Sequence, residues 1–432
     1  MSFLALSLCS LLLISAVEAG NVQVTVSPPW TLVVATPAKD GAAATQQVSV
    51  DSPDRVVVRD EQHDTLPLSD PKAPGIFRGA RLGQLATAEC TAAGTLVSGT
   101  VRVKSGPGEA AAYAEGKDYA LDPFWGRFGR VETGAIPADK PVWADYTYAR
   151  QRLDSVALDA SGKAVVRRGA PAMGVVLPPD LQPGDKALVN VWIPGPIDAL
   201  SEENLFPVTS GLAPALPESS DAAEKLLPNT LRKLRSGDPL TLVAWGDSVT
   251  NMCVYQKQFV AKLKERFPKA NINLITAAWG GRGSRNYLEA PAGGEKDFVR
   301  DVLDPKPDVV VMEWVNDAYL DEAGVQTHYG GILSRLRGVG AEVIILTPHL
   351  VRPDWMDMKT LKFDEDPRPY VKGLRQFAAA NNVALADASK LWCQSWRRGL
   401  PYIAYLENSI NHPDVRGHAL FTEALMGLFP AK

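Results

Sequence analysis

The stretch LTLVAWGDSVT, residues 240–250, carries the reading from which the fold follows. A run apolar but for Thr241 ends at Trp245-Gly246, and a polar turn, Asp247-Ser248, opens onto the stripe Met252, Tyr255, Phe259, Leu263, Phe267. That spacing of three and four residues is one face of a helix. The same alternation recurs toward the C-terminus. Apolar runs at 272–278, 309–312, 343–346 and 383–386 are separated by helical stretches, and Leu420, Phe421, Ala424, Leu425 and Leu428 stripe a last helix. Strands that are apolar throughout, alternating with helices, imply a parallel sheet covered on both faces. In such sheets ligands sit beyond the carboxyl ends of the strands.

Four strand ends share one chemistry. Ser248 stands at a strand-to-helix turn, where its hydroxyl is exposed near backbone N–H groups and the positive end of a helix. After the second run comes Trp279-Gly280-Gly281-Arg282-Gly283-Ser284, whose glycines let the backbone approach a ligand and aim an N–H at it. After the third comes Glu313-Trp314-Val315-Asn316-Asp317, with a side-chain amide at the same edge. Asn411-His412-Pro413-Asp414 then precedes the last helix and brings a histidine to the mouth of the sheet. Each alone reads equally well as a turn residue or a surface histidine. Together, in this order, they supply a nucleophile, two oxyanion donors and a general base, the set that acyl transfer needs.

On these residues the sequence resembles the SGNH (GDSL) hydrolase superfamily from about residue 240 to the C-terminus, and their order is the specific part. Gly246-Asp247-Ser248 is similar to its first block and implies Ser248 as nucleophile. Gly280-Gly281-Arg282-Gly283-Ser284 implies Gly281 as backbone oxyanion donor, and Trp314-Val315-Asn316-Asp317 implies Asn316 as side-chain donor. His412-Pro413-Asp414-Val415-Arg416-Gly417-His418 implies His412 as base. The resemblance implies a flavodoxin-like three-layer α/β/α domain that hydrolyses esters with no cofactor and no metal. Two departures stand out. Trp314 replaces the Gly that begins the third block, and Ser409 stands three residues before His412, where the family has Asp. The resemblance therefore points to a Ser–His dyad with a backbone carbonyl orienting the ring. Glu407 and Asp387 are lesser substitutes, and the third member is left unassigned.

The half before this domain has another rhythm. Val142, Ala144, Tyr146 and Tyr148 alternate with Trp143, Asp145 and Thr147, the period of a half-buried strand. Segments 153–158 and 163–168 flank Asp159-Ala160-Ser161-Gly162 as a hairpin, and Gly and Pro recur throughout. This half is expected to be all-β, one or two sandwiches. Trp125 and Trp143 either stack on sugar rings or pack in its core. The division read is a signal peptide at 1–19, a β-rich accessory domain at 20–208, a linker at 209–238 with a helix at 222–235, and the hydrolase domain at 239–432.

Over 432 residues, 45 Lys and Arg against 49 Asp and Glu give a formal charge of -4, with no basic block to recruit nucleic acid. The nearly wholly apolar segment 3–17, followed by Val17-Glu18-Ala19, reads as a cleavable signal and is too short for a membrane span. A secreted or periplasmic protein is expected. Without Cys9, the remaining Cys90, Cys253 and Cys393 make no disulfide framework and no zinc spacing. Cys253 and Cys393 either pair or, more in keeping with their surroundings, are buried as small hydrophobes. His63, His328, His349 and His418 are expected to be structural, His349 being the one near the cleft. The expectation is a secreted serine esterase that removes acyl groups, most plausibly O-acetyl, from a carbohydrate. Its rivals are a lipase or thioesterase of the same superfamily and a catalytically inactive carbohydrate-binding protein.

Overall fold

The computed structural model describes residues 17–19, 22–37, 44–209 and 222–430. The signal segment thus lies outside the described residues except for Val17–Ala19, an edge strand antiparallel to Val22–Ser27. No helix among the described residues is long and apolar enough to cross a membrane.

The C-terminal half is a five-stranded parallel sheet. Its strands are β1 (Pro239–Gly246), β2 (Asn271–Ala278), β3 (Val309–Glu313), β4 (Glu342–Leu346) and β5 (Ala384–Ala386), in the order β2-β1-β3-β4-β5. Successive side chains of each strand serve opposite layers. Leu242, Ala244, Val309, Val311 and Ile344 pack with Tyr255, Phe259 and Leu263 of α1 (Tyr255–Arg266). Val243, Trp245, Val310, Met312 and Ile345 face the other way, onto α2 (Glu322–Gly338) and α3 (Pro369–Asn381). The last helix, α4 (Val415–Met426), joins the first layer through Leu420, Phe421 and Leu425. Apolar character on both faces of the strands is therefore what a three-layer α/β/α domain requires.

Two helices depart from the sequence reading. The helix expected over 222–235 is two, Ala222–Leu226 and Pro228–Ser236, because Pro228 supplies no N–H and steers Leu227 out of the helical region. The stripe after Ser248 is likewise interrupted: a turn at Ser248–Asn251 precedes α1, and Cys253 between them has φ 58°.

The N-terminal half consists of antiparallel sheets. Strands Val22–Ser27, Thr31–Thr36 and Ala44–Ser49 share a core with the sheet of Arg152–Leu158, Ala164–Arg167, Lys186–Ile193 and Leu205–Pro207. A second core lies between the sheet of Arg55–His63, Val142–Ala149 and Arg102–Lys104 and that of Ala80–Arg81, Tyr119–Asp122 and Arg127–Arg130. The hairpin across 159–162 closes through Gly162 N–H to Asp159 O. The alternation read along Val142–Ala149 fails at Asp145, which is buried because the buried Lys104 ammonium sits 2.9 Å from its carboxylate.

The two halves are welded together. Leu153, Val176, Trp192 and Phe206 of the β half form one apolar cluster with Ala404, against which Leu361, Trp396 and Leu400 pack. A second cluster joins Cys90 and Trp125 to Ile410. The Arg352 guanidinium lies over the rings of Phe124 and Trp125, 4.8 and 4.6 Å from their centres. Such an interface holds the halves in one arrangement.

Candidate active site

Ser248 and His412 come from opposite ends of the C-terminal half and meet. Ser248 Oγ is 3.0 Å from His412 Nε2, hydrogen-bonding distance and within the reach that proton transfer between a hydroxyl and an imidazole requires. Asp247 holds the nucleophile turn by accepting from Val249 N–H at 3.1 Å and from Asn316 N–H at 3.0 Å. One buried carboxylate thus ties the end of β1 to the end of β3.

The two loops of the proposed oxyanion hole are stapled in the same way. Asp317 accepts from Ser284 N–H (2.9 Å), Ser284 Oγ (2.5 Å) and Tyr329 Oη (3.0 Å). A side chain at Gly283 would put its Cβ 2.5 Å from Asp317 Oδ1, so the close approach of these loops needs a glycine there. Gly280 lies against Ser248; a Cβ on it would be 3.7 Å from Ser248 Cβ. Gly281 follows at φ 70°, exposed, in the left-handed region that glycine favours. Asn316 is half-buried and donates one amide hydrogen to Arg282 O at 3.3 Å, which leaves the second for a ligand. The four residues singled out in the sequence are therefore gathered at the C-terminal edge of the sheet.

The histidine loop is equally determined. Asn408 Oδ1 accepts from the N–H groups of Ile410, Asn411 and His412, each at 2.9 Å. Buried His349 donates to Asn411 O through Nε2; burial and the Arg368 charge depress its pKa, so the ring is neutral. His418 is buried with both ring nitrogens unpartnered, and burial lowers its pKa to about 4. His328 Nε2 meets Ser284 Oγ at 2.7 Å, and His63 pairs with Glu61. All four hold the fold rather than face the nucleophile.

Sequence reasoning missed the group at the far side of His412. His412 Nδ1 is 2.7 Å from Glu89 Oε2, a carboxylate of the N-terminal half. Among the described residues the contact to Nδ1 is thus a side-chain carboxylate, not the backbone carbonyl of the dyad expected, and it comes from Glu89 rather than from Glu407 or Asp387. Asp387 pairs with Arg375 at 2.9 Å, and Glu407 meets the histidine loop through its backbone N–H, which donates to His412 O. Ser409, at the position of the family's Asp, is buried with φ 60° and an unpartnered Oγ. Trp245 and Trp314 are wholly buried, their rings 5.0 Å apart, so neither offers a face to a ligand. Trp314 instead presents its carbonyl to Tyr370 Oη at 2.9 Å. Trp125 is also buried, and Trp143 is half-buried. Cys90, Cys253 and Cys393 are free thiols, so Cys253 and Cys393 do not pair.

Behind the nucleophile lie Asp247, Glu313 and Asp317, all buried. Burial raises the pKa of each, and for Glu313 the neighbouring Asp247 charge adds to it. A carboxyl raised in the folded state binds more protons there than in the unfolded chain, so stability falls as pH climbs from the ordinary carboxylate range toward the raised value. Glu313→Gln removes one such group. From about pH 4 to 8 the melting temperature of the wild type is expected to fall relative to that of Glu313→Gln. A difference that does not change with pH would contradict the burial argument.

A serine hydroxyl within hydrogen-bonding reach of a histidine thus stands at the strand ends of a parallel α/β sheet, beside a glycine turn and a side-chain amide. Residues 244–420 match the model of the GDSL-like Lipase/Acylhydrolase family. Similar solved structures include a two-domain esterase active on acetylated mannans, co-crystallised with mannopentaose, at 18% identity and TM-score 0.36. That match covers 49% of this chain and 54% of the other, so the chain spans about half the length of that esterase. A GDSL-like lipase from Bacteroides thetaiotaomicron is 15% identical with TM-score 0.31, over 48% of this chain and 95% of its own. A carbohydrate esterase family 3 protein from Talaromyces cellulolyticus is 13% identical with TM-score 0.29, over 43% and 94%. No curated protein matches the chain.

Proposed function

We propose that the protein is an exported esterase that removes O-acetyl groups from a carbohydrate through an acyl-enzyme on Ser248. The observation that carries the chemistry is the 3.0 Å contact between Ser248 Oγ and His412 Nε2. Ser248 Oγ adds to the ester carbonyl as its proton passes to His412. The resulting oxyanion takes hydrogen bonds from the glycine turn at Gly281 and from the free amide hydrogen of Asn316. His412 then returns the proton to the departing sugar oxygen as the ester C–O bond breaks, and water releases the acyl group by the same steps. No cofactor enters this scheme.

The carbohydrate reading rests on aromatic faces that flank the site and on the apolar segment at 3–17, which supports export. Trp279 follows β2 directly, is part-exposed and carries the Arg282 guanidinium 5.8 Å from its ring centre. Tyr319, three residues beyond Asn316, is exposed. Rings with a polar rim suit the face of a sugar. A lipase needs an apolar channel at the nucleophile. The apolar cavity of about 410 Å³ lined by Leu226, Ala378, Val383, Leu391 and Leu428 includes neither Ser248 nor His412 in its wall. Acetyl esters are therefore expected to be turned over at least tenfold faster than decanoyl esters, with acetate released from one or more acetylated polysaccharides of a panel. A preference for decanoyl esters, with no acetate released from any polysaccharide, would favour the lipase reading instead.

A further inference from the structure

We infer that the N-terminal β half completes the catalytic apparatus by supplying Glu89 as the positioning acid of His412. The inference rests on the esterase reading above and extends it to the domain whose role the sequence left open. Glu89 Oε2 lies 2.7 Å from His412 Nδ1, while Nε2 of the same ring faces Ser248 Oγ at 3.0 Å. With Nδ1–H donating to the carboxylate, the lone pair on Nε2 is free to accept the serine proton. The ionised Glu89 then faces the imidazolium that forms. Glu89 acts through the ring, by fixing its tautomer and orientation and by standing beside the imidazolium.

The placement is built from both sides. Glu89 sits on a tight loop closed by Thr87 N–H to Cys90 O, and the next residue, Cys90, is buried in one cluster with Ile410, two residues before His412. Asn408, which ties down three N–H groups of the histidine loop, also donates through Nδ2 to Glu89 Oε2 at 3.2 Å. Thr87 Oγ1 reaches Asn408 O at 3.4 Å. The β half also presses on the place where an acid three residues before His412 would sit. A Cβ on Gly174 would be 3.0 Å from Thr87 Cγ2 and 3.3 Å from Ser409 Oγ. The space at Ser409 is thus crowded by the β half, which presents its own carboxylate to the ring from Glu89.

The Glu89 side chain is 61% exposed, whereas that of His412 is 14% exposed. Water therefore screens the pair and takes up part of the role when the carboxylate is removed. In the full chain, Glu89→Gln is expected to lower kcat on 4-nitrophenyl acetate by about 10–100-fold, below the 10⁴-fold seen when a buried triad acid is neutralised. KM is expected to stay within about twofold and the melting temperature within about 2 °C, since an exposed side chain is exchanged for one of the same shape. Glu89→Ala, which loses charge and shape together, is expected to show at least the same fall in kcat. A kcat within twofold of wild type in Glu89→Gln, or a loss of kcat matched by a fall of many degrees in melting temperature, would overturn the inference. Ser248→Ala measured alongside separates the two claims. If it is inert while Glu89→Gln is fully active, only the role of Glu89 is lost; if it is fully active, the esterase reading itself is lost.

Discussion

Ser248→Ala is expected to lower kcat on 4-nitrophenyl acetate by about 10⁴–10⁶-fold, the range spanned by removing single members of a comparable unit. Ser248 Oγ is the hydroxyl within reach of His412 Nε2, at 3.0 Å, and without it the base has no proton to take from the protein. What remains is binding and oxyanion stabilisation acting on water, which still exceeds the uncatalysed rate. The fold should not respond. Asp247 caps the turn through its own carboxylate, and the half-buried serine loses only its hydroxyl. An unchanged melting temperature together with the lost kcat is the expected pair of results, and wild-type turnover in the variant would end the hydrolase reading.

Asn316→Ala is expected to lower kcat by about 10²–10³-fold with little change in KM, a loss of about 3–4 kcal/mol of transition-state stabilisation. The Asn316 backbone is fixed by its N–H to Asp247 and its loop by Asp317, so truncation beyond Cβ leaves the loop in place. Its one side-chain bond within the protein, 3.3 Å to Arg282 O, is long and exposed and contributes little to folding. The amide acts on the oxygen that gains charge in the transition state more than on the ground-state carbonyl, so kcat moves and KM does not. An unchanged kcat would remove Asn316 from the oxyanion hole.

The catalytic half was legible because each of its signals is local. A strand buried on both faces must be apolar along its buried length, as 242–245 and 309–312 are, and the residues after it then fall at one edge of the sheet. Ser248, Gly281, Asn316 and His412 needed only that rule to be brought together. Glu89 could not be found in this way. It is a lone acid in an irregular segment, exposed and without periodicity, and its meaning comes from a contact between halves far apart in the chain. Proximity in sequence is no guide to the tryptophans beside the site either. Trp245 and Trp314 sit beside site residues in sequence, yet strand alternation turns them into the core beneath the site. Pro228 was a readable helix break that the apolar spacing around it concealed.

The most direct measurement is to treat the full chain with a fluorophosphonate and locate the adduct by mass spectrometry of peptides. Attack by Ser248 Oγ on phosphorus would expel fluoride and leave a stable phosphonyl ester. One adduct per chain on the peptide that contains Ser248, abolished in the His412→Ala variant, is the expected outcome. An adduct confined to another residue, or equal labelling of Ser248 without the imidazole, would contradict a nucleophile activated at the meeting point of these strand ends.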